Sequence, residues 1–192
     1  MADTYLIAQD SVSLAASTTR YFQAATSRLT SNATEAIQQI TYRSGGTLKN
    51  LYVRITVNNR GASTYRTRVN GANGAQSVSV GASATGEFED TVNTDTIAAG
   101  DEVNYQAVIG AGGTVHTVSC IATLYSATTN TVSRLANSLG ASITTASVTR
   151  YIIFTGSFTA FLTTEGADLW QEINSAGTLK NLRIAVQTAP GA

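Results

Sequence analysis

The chain holds one histidine, His116, and one cysteine, Cys120, and these two bound most of the chemistry it could perform. A Ser/His/Asp or Cys/His system would have to use His116, and no nucleophile with a base in hydrogen-bond reach can be read around it. Its neighbours Val115 and Thr117 alternate, which predicts an ordinary sheet position. One His and one Cys do not make a zinc set. Cys120 has no partner for an intrachain disulfide. Its setting, Val118, Cys120, Ala122 and Leu124, predicts a small buried hydrophobe, and no positive neighbour lies close in sequence to activate the thiol.

Carboxylates concentrate at Glu87, Glu89, Asp90 and Asp95, with Asp101 and Glu102 after them. Paired carboxylates can hydrolyse glycosides and oxygen-rich loops can hold calcium, but no Asp-x-Asp-x-Asp-Gly spacing is present, so solvated loop charge is expected. Gly110-Ala111-Gly112-Gly113 opens no helix after a strand and reads as a turn rather than a phosphate cradle. Asn32-Ala33-Thr34 is a glycosylation sequon, read as coincidence. Tyr52, Tyr65, Tyr105, Tyr125 and Trp170 could stack sugars, although most should pack in the core or on a sheet face. Arg20, Arg66 and Arg68 are expected to pair across a subunit boundary, because the sheet around them carries few other charges. No catalytic, cofactor-binding or metal-binding residue is assigned, and a non-enzymatic role is expected.

These side chains sit in a chain of 192 residues that is 43% apolar and 12% charged. That charge content is about half the usual share. Twelve basic and twelve acidic residues cancel, so no basic field draws nucleic acid or an anionic membrane, and neither is an expected partner. The surface must be rich in Ser, Thr, Asn, Gln, Gly and Ala, which favours association.

An internal repeat divides the chain. Gly46-Thr47-Leu48-Lys49-Asn50-Leu51 returns letter for letter as Gly177-Thr178-Leu179-Lys180-Asn181-Leu182, and Thr19-Arg20-Tyr21 returns as Thr149-Arg150-Tyr151. The offset of about 130 residues is domain-sized, well beyond a solenoid period. Residues 1–126 read as a complete unit, 127–141 as a linker and 142–192 as the first half of a second unit.

Strand patterning fills the first unit. In 48–57, Leu51, Val53, Ile55 and Val57 alternate with Asn50, Tyr52, Arg54 and Thr56, the period of a sheet with one buried face. Ser44-Gly45-Gly46 is expected to turn before it, and 37–42 to form a further strand. Asn70-Gly71 is the strongest hairpin signal, since both residues tolerate the positive φ of a type I′ turn. In 102–109, Val103, Tyr105 and Val108 compete for the core. About eight strands between turn signals predict an all-β, antiparallel double-sheet sandwich of jelly-roll type, with an immunoglobulin-like sandwich as runner-up. The half unit cannot close a sandwich by itself, so it is expected to belong to a longer protein or to be completed by a neighbouring subunit, with packing on the first unit as the runner-up.

The runs Gly46-Thr47-Leu48-Lys49-Asn50-Leu51-Tyr52-Val53, Thr67-Arg68-Val69-Asn70-Gly71, 82–91 and 98–103 resemble a β-sandwich module of tailed-phage and related viral structural proteins. The resemblance covers 48–125. It implies a virion component, such as a capsid decoration protein, head fibre or tail-associated protein, made in the host cytoplasm; residues 1–10, with Asp3 and neither a basic start nor a long apolar run, are not expected to be a signal peptide. Its implied partners are further copies of itself, with a trimer expected by analogy with other jelly rolls, and other virion proteins. A carbohydrate-binding module for attachment to host surface glycans is the alternative.

Overall fold

The computed structural model describes residues 3–24, 31–128, 137–139 and 156–158. Eight principal strands build the first unit: β1 (Asp3–Ser13), β2 (Thr19–Gln23), β5 (Gly46–Asn58), β6 (Ser63–Val69), β7 (Ala72–Val80), β8 (Gly86–Ile97), β9 (Glu102–Val108) and β10 (His116–Ala127). Two short strands, β3 (Ser31–Asn32) and β4 (Ile40–Thr41), flank a 3-10 turn at Glu35–Gln38. That turn takes the first two residues of the segment expected to be a strand at 37–42, and β4 is the part of it that is a strand. β11 (Asn137–Leu139) and β12 (Gly156–Phe158) form a small parallel pair. The rest of the expected linker and second unit, Trp170 and the second hexapeptide included, lies outside the described residues.

The topology follows from one long folded hairpin. Its tip is Asn70-Gly71, with φ of 52° and 75°, so the turn signal acts where both residues are needed in the left-handed region. From that tip β6 pairs with β7, β5 with β8, β4 and β2 with β9, and β1 with β10, all antiparallel. Ile40 faces Val103, Gly46 faces Ile97 and Ser63 faces Val80, so these pairs share one centre beside the turn. The hairpin then curls: β10 joins β5 and β9 joins β6. One sheet runs β1-β10-β5-β8, the other β3-β2-β9-β6-β7 with β4 also on β9. This is the strand order of a jelly roll, not of an immunoglobulin-like sandwich.

The core lies between the sheets. Leu6, Leu48, Leu51, Val53, Ile55, Val118, Ile121 and Tyr125 meet Phe22, Tyr65, Val103, Tyr105, Ala107, Val78 and Val80, all buried. In β9 the competition resolves to Val103, Tyr105 and Ala107 inward, leaving Val108 outside.

Bulges explain where simple alternation fails. Leu48 and Leu51 are both fully buried although three residues apart, because Asn50 adopts φ 55° and breaks the register against β10 and β8. A second irregularity opposite Thr117 and Val118 turns Asn58 inward and leaves Val57 47% exposed. A third, around Ser119, puts Cys120 on the outer face, half-buried, and corrects its expected place in the core.

Gly46 is not a turn residue either. It begins β5, where an added Cβ would lie 2.5 Å from the Ser126 carbonyl oxygen and 2.5 Å from the Tyr125 ring. The hexapeptide therefore encodes a close approach at its start and a bulge at its fifth residue. Gly46→Ala should lower stability by about 1–3 kcal/mol through overpacking. Denaturant titration checks this: the midpoint should fall with an unchanged slope, and an unmoved midpoint would contradict the close approach.

Candidate functional site

His116 opens β10 opposite Asn58, a sheet position as expected, with its ring in the core. It is fully buried, with Nε2 2.7 Å from the Tyr65 hydroxyl and Nδ1 3.0 Å from Asn58 Oδ1. Asn58 donates its amide to the Ala84 carbonyl at 3.0 Å, so its Oδ1 accepts from His116 Nδ1 and also from the Arg60 backbone N–H at 2.9 Å. The imidazole is thus held neutral, accepting from Tyr65 at Nε2. Burial, reinforced by the Arg60 charge, lowers its pKa to about 4. Burial also raises the Tyr65 hydroxyl far above its ordinary value. A base this weak, walled off from solvent, suits a structural hydrogen bond better than proton transfer at neutral pH.

Arg60 shares this end of the sandwich. Its guanidinium donates to the carbonyls of Leu14 (3.0 Å), Gly112 (2.9 Å), Gly113 (2.8 Å) and Thr114 (2.9 Å). The glycine-rich turn therefore serves to bring carbonyls onto a buried cation, with Gly112 and Gly113 at φ 74° and 61°. Nothing in the local sequence marks Arg60 for this, because its partners lie far away in the chain on both sides.

The carboxylates divide. Glu87, Glu89 and Glu102 are exposed, as solvated charge should be, but Asp90 and Asp95 are buried. Asp90 accepts from the backbone N–H of Ser77 (2.8 Å), Val92 (3.1 Å) and Asn93 (3.0 Å). Desolvation would raise its pKa, but the hydrogen bonds from Asn93, Ser77 and Val92 outweigh it and bring the group to about 2. Asp95 accepts from the Ala75 N–H at 2.5 Å, from Gln76 Nε2 at 3.0 Å and from Thr67 Oγ1. Gln76 Oε1 in turn takes the Leu51 N–H at 2.9 Å. Two β8 carboxylates thus cap N–H groups of β7, the end strand of the facing sheet. Asp101 has a smaller role of the same kind, accepting from the Ala98 N–H and from Asn70 beside the hairpin tip.

Arg68 has a partner within the chain. Its Nε and Nη2 donate to Glu35 Oε1 and Oε2, each at 2.8 Å, and the guanidinium lies 5.9 Å from the centroid of the Tyr21 ring. Arg66 stands on the same outer face, opposite Gln106, and Arg20 is on β2 opposite Ala107. Of the candidate stacking residues, Tyr65, Tyr105 and Tyr125 are buried. Tyr52 is on the outer face of the four-stranded sheet.

That outer face is the candidate site. Cross-strand register places Tyr5 beside Leu124, and Ile7 beside Ala122 and then Tyr52. Tyr5 is 69% and Ile7 41% exposed. Further across, Cys120, Arg54 and Glu87 form the next row. Ile7, Tyr52, Arg54, Thr56, Ser119 and Cys120 line a shallow groove of about 460 Å³. Burial raises the pKa of the Cys120 thiol, which opposes thiolate chemistry there. The face is therefore an apolar stripe along β1 and β10, bordered by hydroxyls and one Arg–Glu row.

No protein family, curated protein or solved structure matches this chain.

Proposed function

We propose that this chain is a non-enzymatic structural protein of a viral particle, of the capsid or the tail, which assembles with further copies and with other particle proteins through its β-sandwich. The observation that carries the reading is the apolar stripe of Tyr5 and Ile7, exposed among the described residues, with the half-buried Leu124 beside them, along β1, which ends its sheet among the described residues. Exposed apolar side chains next to an unpaired strand edge are a surface for association. The low charge content adds to this, since little repulsion opposes contact between copies. The resemblance of 48–125 to phage sandwich modules supports a particle setting. The side chains best suited to chemistry, His116, Asp90 and Asp95, are engaged in hydrogen bonds that hold the sandwich.

Light scattering after size exclusion tests the assembly part. The full chain should run as an oligomer at all but the lowest concentrations, and Tyr5→Glu with Ile7→Lys should shift it toward monomer without changing its strand signal in circular dichroism. A stable wild-type monomer would overturn the reading. The particle part predicts that the chain cosediments with particles on a density gradient of the source material.

The groove carries a second reading, a glycan-attachment module, because Tyr52 stands there with the polar side chains of Arg54, Thr56 and Ser119. Specific binding on a glycan array, lost in Tyr52→Ala, would favour it.

A further inference from the structure

One short segment, residues 33–39, joins β3 to β4 through the 3-10 turn and lies against the outer face of the larger sheet. Cross-strand register sets out what stands on that face. Gln23, Asn104 and Arg68 form one row, and Tyr21, Gln106 and Arg66 form the next. The segment is held by polar contacts at both ends of the first row: Arg68 donates to both oxygens of Glu35, each at 2.8 Å, and Gln23 Nε2 reaches the Ile37 carbonyl at 3.4 Å. Asn104 stands between these two holding side chains.

What the segment covers is poorly satisfied. Asn104 is fully buried, and neither its Oδ1 nor its Nδ2 has a hydrogen-bond partner among the described residues. Gln38, the one buried side chain of the turn, leaves Oε1 without a donor, and Arg66 Nε in the next row is buried without an acceptor. Each such atom counts against the closed arrangement, because solvent would satisfy it in an open one. No apolar burial offsets this: Ala33, Ala36 and Ile37 are exposed, and Glu35 and Gln39 are half-buried. Thr34 adds no side-chain cap to the turn. The opposite face of the same strand β9 is held quite differently, since Val103, Tyr105 and Ala107 are packed in the core.

We propose that residues 33–39 are a strap that opens by local unfolding while the sandwich stays folded, with the Arg68–Glu35 ion pair as its clasp. A segment that buries no apolar side chain and is held by a few polar contacts belongs at the low-energy end of the openings a fold undergoes. Its fixed ends are the pairs Tyr21 with Asn32 and Ile40 with Val103. Opening carries Gln38 and the Asn104 amide from burial without partners into water. It also uncovers a face of amides, two guanidiniums and the Tyr21 ring. Glu35 is then an internal occupant of Arg68, and the face stays closed until that clasp is undone.

Thiol labelling under native conditions tests the strap. Asn104→Cys and, separately, Ala107→Cys are made in the full chain carrying Cys120→Ser, so that each variant has a single thiol. Both positions are fully buried on β9 but face opposite sides of the sheet. The thiol at 104 should react with a water-soluble aromatic disulfide more than about a hundredfold faster than the thiol at 107, which waits for the sandwich to unfold. Low urea should leave the rate at 104 nearly unchanged and raise the rate at 107 steeply, since only global unfolding exposes much surface. Adding Glu35→Gln should speed reaction at 104 severalfold. Gln38→Cys, on the strap itself, reports the same opening should circular dichroism show that the change at 104 disturbs the fold. Equal rates at 104 and 107 with the same urea dependence would overturn the local opening, and a rate at 104 that Glu35→Gln does not move would overturn the clasp.

Discussion

Arg60→Ala should destabilise the sandwich by about 1–3 kcal/mol, because it leaves the buried Leu14 carbonyl without its donor and releases three part-buried carbonyls of a second segment. Leu14 O belongs to the link after β1, while Gly112, Gly113 and Thr114 carbonyls belong to the turn before β10. One guanidinium ties the two chain segments at this end of the β1–β10 pair to the loop after β5. Lysine offers three donors on a tetrahedral head and cannot span the same four acceptors, so Arg60→Lys should recover only a minor part. Equilibrium denaturation of the two variants checks this. Full rescue by lysine would mean that charge alone matters there, contrary to the fork geometry.

The same corner should make stability fall with acidity well before the exposed carboxylates titrate. His116 has a folded pKa of about 4 against an ordinary value of 6.5. The unfolded chain therefore takes up a proton first as pH falls, so the stability is full above about 6.5 and is lost progressively toward 4. With allowance for solvent screening, the loss should be about 2 kcal/mol. Asp90 adds a loss of the same sign lower down, between the ordinary 3.8 and about 2, because its folded pKa is depressed and its stabilisation is present only while it is ionised. Thermal melts from pH 7 to 4 should show a steady fall in the wild type. His116→Leu should be less stable at pH 7, since Tyr65 and Asn58 lose their partner, but nearly flat across that window. A wild type that melts at one temperature from pH 7 to 4 would refute the buried neutral imidazole.

Both effects arise from residues whose roles local sequence could not display. His116 is legible as a residue without a catalytic partner, but its alternating neighbours say nothing about Tyr65, 51 positions away, or about the irregularity that turns Asn58 toward it. Asp90 and Asp95 look like the exposed Glu87 and Glu89 beside them. What separates them is the strand β7, whose N–H groups reach their carboxylates only after the two sheets have closed. Cys120 departs from its expected place for a related reason: a single extra residue at Ser119 exchanges the faces of a strand, and bulges leave little local signature unless glycine or asparagine marks them. Asn50 is such a mark, carried within the repeated hexapeptide.

Sequence alone determined the class and the hairpin tip. Alternation marked most of the strands, though not the 3-10 turn at Glu35–Gln38, and Asn70-Gly71 set the turn between β6 and β7, because a turn requiring two positive φ angles is a strictly local demand. Only the tertiary structure decided which strands end a sheet, which edges are capped and which one is left open. Those are properties of strands distant in the chain, brought together when the hairpin curls. An edge exists only by virtue of the neighbour that β1 lacks among the described residues.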